Sequence, residues 1–160
     1  MNWYYKLVFA SIPVGIALGI GAYTFIYAKG YSYLTHNPAA CANCHVMNDY
    51  YNGWVKSSHK LIAGCNDCHT SAGLIPKYYS KAENGFWHSF AFTTGRFHDP
   101  IQIKPRNIEI VEKSCRQCHS EFVSAIDQTY HSKESQVSCI KCHNTVGHQW
   151  LNIKILWATR

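Results

Sequence analysis

The sequence predicts a mainly α chain with much irregular structure: one N-terminal transmembrane helix, then a small domain built from two copies of one unit. Three observations predict it. From Leu7 to Ala28 no residue carries a charge. All eight cysteines fall in C-x-x-C-H motifs, at Cys41-Cys44-His45, Cys65-Cys68-His69, Cys115-Cys118-His119 and Cys139-Cys142-His143. These motifs come as two pairs of equal spacing, 24 residues from Cys41 to Cys65 and again from Cys115 to Cys139.

As a helix, the uncharged stretch spans roughly 33 Å, enough for a bilayer core of about 30 Å. Trp3, Tyr4 and Tyr5 precede it, and Tyr27, Tyr31 and Tyr33 stand at or after its end, where aromatics suit the two interfaces. A cleaved signal peptide is the alternative, but its apolar region runs only about 7 to 15 residues. An uncleaved anchor is expected over residues 1–29, with the helix at about 7–28. Gly15 and Gly19 form a G-x-x-x-G, a pattern that lets two membrane helices approach closely. A homo-oligomer within a larger complex is one reading of it; the general frequency of glycine in membrane helices is the other.

Two cysteines separated by two residues place both thiols on one side of a turn, where they can form thioethers to the two vinyl groups of one haem. The histidine that follows drops onto the iron. The motif is a c-type haem attachment site. A disulfide framework gives no reason for a histidine after every pair, and structural zinc does not require one at that fixed place. The chain therefore reads as a multihaem cytochrome c domain of two two-haem repeats carrying four covalently bound haem c, with residues 70–114 as the connection. Such a domain can wrap cofactor in place of a protein core. The formal charge of +6 is not a nucleic-acid signal, because eight haem propionates offset much of it; no nucleic-acid partner is expected. Lys6 and Lys29 leave the orientation of the anchor balanced. Covalent haem attachment decides it, since it belongs to the outer face of the cytoplasmic membrane. Residues 30–160 are thus expected to form a periplasmic tetrahaem domain.

Within the connection, Tyr78, Lys81, Gly85, His88 and Phe92 recur at helical spacing. Lys81 and His88 are two turns apart, about 10 Å along the axis. A second helix is expected from Asn107, as N-cap after Pro105, into Cys115. The tail from Trp150 to Trp157 could pack on a haem, on the membrane surface or on a partner. Beyond the motifs stand His36, His59, His88, His98, His131 and His148, six candidates for four further axial positions at most. His59 and His148 lie near motifs, which favours ligation. His131 is the repeat counterpart of His59, whereas His36 and His98 read as surface or propionate-contacting residues.

Met47 follows His45 by two. With the anchor and four sites, the chain resembles the tetrahaem quinol dehydrogenases of the NapC/NirT family, specifically the short type that serves as membrane subunit of cytochrome c nitrite reductase. The resemblance rests on Cys44-His-Val-Met47, Ser57-Ser-His59, Cys65-Asn-Asp-Cys-His69, the segment from Lys81 to Gly95 and Val146-Gly-His148. It implies that Met47 ligates the first haem and that His45 is displaced. It implies motif ligands His69, His119 and His143, with His148 and His59 as distal ligands of the second and third haems. A lysine of the catalytic partner would complete the fourth, for which His131 is the alternative within the chain. Lys81 matches a quinol-site lysine. His88 would accept protons there, or else ligate a haem or pack among Phe86, Trp87 and Phe90. The implied activity is oxidation of menaquinol in the lipid bilayer, with electrons passed to the pentahaem, ammonium-forming nitrite reductase. Rival readings are the same dehydrogenase serving another acceptor such as nitrate reductase, an electron relay without a quinol site, and a terminal reductase, which the lack of a fifth haem motif disfavours.

Overall fold

The computed structural model describes residues 2–130 and 138–148, all helix, turn or irregular chain, with no strand among them. It separates into two compact units, Met1–Thr35 and His36–Arg160.

The first unit is helix α1, Trp3–Tyr27, followed by a 3₁₀ turn, Gly30–Leu34. Compared with the expected 7–28, the helix starts one turn earlier, taking in the leading aromatics and Lys6. It is long and apolar enough to cross a membrane, and none of its residues is buried. Pro13 lies inside it and withdraws one backbone donor; the Ser11 hydroxyl donates back to the Val8 carbonyl at 2.9 Å. Tyr23 and Tyr27 stack one turn apart at 5.9 Å. The chain then turns sharply through Lys29 in the left-handed conformation. Gly30 is required by contact as well, because a Cβ there would lie 2.4 Å from the Phe25 ring.

The second unit opens with two 3₁₀ turns, Pro38–Asn43 and His45–Met47, and helix α2, Asn48–Val55. The Trp54 indole donates to the Ala63 carbonyl at 2.9 Å and folds the following loop back over α2. Helix α3, Cys65–His69, is capped by its own aspartate: the Gly64 N–H donates to Asp67 Oδ2 at 2.8 Å. Thr70 and Ser71 then leave α3 against the start of α4, where the Ser71 and Ser80 hydroxyls meet at 3.1 Å.

Helix α4, Leu74–Thr94, is the long helix expected in the connection. It stops at Gly95, whose φ of 67° is open to glycine at little cost, and the Arg96 N–H returns to the Ala91 carbonyl at 2.8 Å. Helix α5 runs Pro105–Cys118. Proline is its first residue, where a missing N–H costs nothing, and Lys104 is the cap. Asn107 is therefore inside the helix and not its cap, and its side-chain amide donates to Asn84 of α4 at 3.2 Å. An ion pair of Arg106 with Glu83 ties the same two helices. Helices α6, Ser120–Tyr130, and α7, Cys139–Cys142, follow; α3, α6 and α7 all pack on α5. The expected roles of His131 and of the tail 150–157 lie outside the described residues.

Ile110 is the one hydrophobic side chain buried among the described residues. The other buried residues among those described are Ser32, Gly53, Ser57, Thr70, Ser80 and Lys81. A domain of this size held by an ordinary apolar core would bury many more large side chains.

Candidate functional site

The last three motifs are helical and the first is not. Cys65, Cys68 and His69 lie within α3, while His119 and His143 cap α5 and α7 at their C-termini. The N–H of each of those two histidines donates to the carbonyl of the first cysteine of its motif at 2.9 Å. One helical turn thus presents two thiols and an imidazole on one side. In the first motif Cys41 lies in the 3₁₀ turn Pro38–Asn43, and the backbone is extended at Cys44, with φ −89° and ψ 120°. A new turn, His45–Met47, begins there and is closed by the Met47 N–H on the Cys44 carbonyl at 2.9 Å. His45 and Met47 thus lie together on this separate turn, outside the one that carries Cys41. Equal spacing of the two motif pairs is thus not matched by equal local structure.

The motifs form a connected series. The Cys41 and Cys65 thiols hydrogen-bond to each other, an interaction that holds Cys41 down to about 7 against the opposing effect of burial. Cys68 is within electrostatic reach of Cys118 and Cys115, and Cys115 of Cys139. None of the eight cysteines is paired in a disulfide.

Two histidine pairs face each other across this series. His59 lies opposite His119 and His69 opposite His148, each pair with ring centroids 6.1 Å apart. Two imidazoles on opposite sides of one iron, each with a metal–nitrogen bond of about 2 Å, need a centroid separation of about 6 Å. The donor set and its spacing therefore fit haem ligated by two histidines. Both outer rings are also held from behind. His148 Nδ1 donates to the Tyr50 carbonyl at 2.8 Å, and the Tyr50 hydroxyl in turn accepts from the Ile101 N–H at 2.8 Å. His59 Nδ1 meets the Ser58 hydroxyl at 3.2 Å. With Nδ1 engaged, Nε2 is the nitrogen left for the metal, the usual second-shell arrangement of a ligating histidine. Sequence reasoning found His59 and His148 by their closeness to motifs, but not Tyr50, whose contact to His148 spans 98 residues.

Between the segment after His69 and α5 lies a cavity of about 430 Å³, bordered by Ser71, Pro76, Arg106, Glu109, Ile110 and Lys113. Its charges are mixed, two cations with one carboxylate, and Arg106 is also paired with Glu83.

Lys81 and His88 share a face of α4 but serve different neighbours. Lys81 is buried, 6 % exposed. Burial, then the Lys77 ammonium, lower its pKa, while nearby Cys41 acts in the opposite sense. It thus belongs to the first motif. His88 is within electrostatic reach of His69, and Lys104 helps to lower its pKa after the effect of burial. His36 is exposed and its Nδ1 meets Lys77 Nζ at 3.2 Å, adding a third basic group to the Lys81 side. His98 is exposed. Phe86, Trp87 and Phe90 form an aromatic cluster with ring centroids between 5.3 and 6.4 Å.

Around the fourth motif the carboxylate of Glu112, on α5, accepts three hydrogen bonds. They come from the Ser138 hydroxyl at 2.5 Å, the Cys139 N–H at 3.0 Å and the Ile140 N–H at 3.3 Å. This residue also escaped the sequence reading. The available signal was the composition of the motif: C-N-D-C-H carries its own acid at Asp67, and C-I-K-C-H does not.

Comparison with known proteins agrees with this geometry. The sequence model of the NapC/NirT cytochrome c family, N-terminal region, matches residues 3–153. The chain is 37% identical over 158 residues to the cytochrome c-type protein NrfH of Wolinella succinogenes, covering 92% of this chain and 89% of that protein. It is 31% identical over 134 residues to the cytochrome c nitrite reductase subunit NrfH of Nitratidesulfovibrio vulgaris, covering 84% and 80%. Among solved structures it matches a chain of the cytochrome c nitrite reductase NrfHA complex bound to the HQNO inhibitor. The TM-score is 0.62 at 28% identity, with 91% of this chain and 92% of that one covered. Helical C-x-x-C-H turns, histidines spaced to ligate haem and a match along nearly the whole chain lead to one conclusion: it belongs to the NapC/NirT cytochrome c family, whose prosthetic group is covalently bound haem c.

Proposed function

We propose that the chain is a membrane-anchored tetrahaem cytochrome c that oxidises menaquinol and delivers the electrons to a periplasmic cytochrome c nitrite reductase. The observation that carries the proposal is the first attachment site, which is built unlike the other three and has a buried lysine beside it. When bound, haem c supplies the one-electron chemistry between quinol and partner. The residues of the chain do the rest. Cys41 and Cys44, Cys65 and Cys68, Cys115 and Cys118, and Cys139 and Cys142 each hold one haem. His69 with His148, and His119 with His59, would hold the irons of the second and third. Met47 would hold the first iron in place of His45. His143 would hold the fourth, with His131 or a residue of the partner as the other ligand.

Quinol oxidation releases two protons with its two electrons. Lys81, buried beside the first motif, orients a quinol hydroxyl at the first site and is the first group on the path of its proton; burial shifts its pKa downward. His88, near the second site, is the following acceptor toward the periplasm. Its reach to His69 supports that place better than direct contact with the quinol. The partner follows from the relatives named NrfH and from the NrfHA complex.

Stopped-flow reduction of the isolated full chain in detergent by a menaquinol analogue, with and without HQNO, tests the proposal. Rapid reduction that HQNO abolishes is the expected outcome. No reduction by the quinol, while dithionite still reduces all haems, would leave an electron relay without a quinol site.

A further inference from the structure

The second and fourth attachment turns solve the same problem with different acids. Each begins a short helix whose first N–H groups have no partner within the helix. In the second, Asp67 inside the motif accepts the Gly64 N–H at 2.8 Å. In the fourth, Lys141 stands in the place of Asp67, so the motif supplies no acceptor. The acceptor comes instead from α5, 27 residues away, where Glu112 takes the Cys139 N–H on one carboxylate oxygen and the Ser138 hydroxyl and Ile140 N–H on the other.

Two consequences follow from this one contact. Glu112 stands three residues before Cys115, on the helix that carries the third attachment site, so it locks the fourth turn to the third. It also sets a negative charge, half-buried, against the backbone of Cys139. Its three donors hold it ionised: burial opposes the charge most strongly, but the hydrogen bonds together outweigh it and leave its pKa below the ordinary value. Arg116, one turn further along α5, also acts on Cys139 and has the opposite sign. A nearby negative charge stabilises the oxidised, more positive state of a redox centre, and local charge and hydrogen bonding are among the levers that set such potentials.

We propose that Glu112 is the positioning residue of the fourth haem attachment site and that its carboxylate holds the potential of the haem bound at Cys139 and Cys142 below that of the same turn without the charge. The proposal rests on the reading of that motif as a haem site. It assigns to the last site of the series a control that no residue of the motif itself provides.

The test uses the full chain in detergent as wild type, Glu112→Gln and Glu112→Asp, with haem counted per attachment peptide by mass spectrometry and midpoint potentials resolved by spectroelectrochemistry. Glu112→Gln keeps the size but loses the charge. It is expected to move one midpoint to a more positive value and leave the others in place, while Glu112→Asp returns that midpoint toward wild type. If Glu112→Gln instead lacks haem on the Cys139–Cys142 peptide alone, the positioning role is supported and Glu112→Asp must restore the haem. Midpoints unchanged in Glu112→Gln, or all shifted together, would overturn the proposal. A wild-type chain with no haem on the Cys139–Cys142 peptide would overturn the haem reading and the proposal with it, and the mass distinguishes that case from an unmoved potential.

Discussion

The first attachment site and the three that follow it are written in the same five-residue pattern and built on different backbones. In the last three, a continuous helical turn carries cysteine, cysteine and histidine on one side, and two of the histidines so placed face a second histidine at 6.1 Å. In the first, the backbone is extended at Cys44 and a separate turn carries His45 to Met47. One motif is thus compatible with two backbones, which supports the proposed difference in iron ligation between the first site and the rest. The odd site is also the one beside buried Lys81, and the helical sites are the ones braced by Tyr50, Ser58 and Glu112.

The largest effect should come from breaking the helical sites. His59→Ala and His148→Ala each remove one ring of a facing pair. Each variant is expected to keep its haem count, turn one low-spin haem high-spin in the visible spectrum, and abolish quinol-driven turnover through that haem. His45→Ala should leave the low-spin spectrum intact, because Met47 and not His45 is the proposed ligand at the first site. A spectrum changed as in His59→Ala would erase the difference between the sites.

Next in size is Lys81→Leu. Reduction by a menaquinol analogue should slow by about a hundredfold, the scale of a lost proton-transfer group, while dithionite reduces every haem as before. Equal slowing with both reductants would place Lys81 in the packing of the domain and not at a quinol.

A smaller effect separates the second site from the fourth. Asp67→Ala removes the local cap of α3 and should cost about 1 kcal/mol of stability in thermal or denaturant unfolding. Lys141→Ala, at the matching position of the fourth motif, should cost less than half of that, because Glu112 does the capping there.

The smallest expected effect is on pH dependence. The folded pKa of Glu112 lies below its unfolded value of 4.5. Its contribution to stability is therefore full above that value and is lost as pH falls through the lower folded value. Unfolding temperatures measured between pH 3 and pH 6 should fall more steeply with acid in the wild type than in Glu112→Gln. Parallel curves would show that the carboxylate gains nothing from its three donors.

Much of this was legible in the sequence, for identifiable reasons. The membrane helix is written in an uncharged run, α4 in the spacing of Tyr78, Lys81 and His88, and the haem sites in a motif whose chemistry allows few alternatives. Local rules failed where two of them competed: Asn107 is a good cap, but Pro105 is a better first residue, and the helix began there. Contacts that join distant segments left no local trace. Nothing near residue 50 announces His148, and nothing near residue 112 announces Cys139 except the missing acid in C-I-K-C-H. The break at Cys44 was invisible for a different reason, since the five residues of the first motif satisfy the same pattern as the others and only Met47, just beyond it, hints at a different ligand.

The difference between the first site and the rest is tested most directly by a near-infrared magnetic circular dichroism spectrum of the oxidised full chain. A methionine-ligated iron and a bis-histidine iron give charge-transfer bands at different energies, so the ligand classes can be separated in one sample. The expected spectrum contains bis-histidine bands from the second and third sites and a distinct contribution that disappears in Met47→Leu. Bands of bis-histidine type alone, unchanged in Met47→Leu and lost in part in His45→Ala, would show that the first site is ligated like the others and would contradict the account.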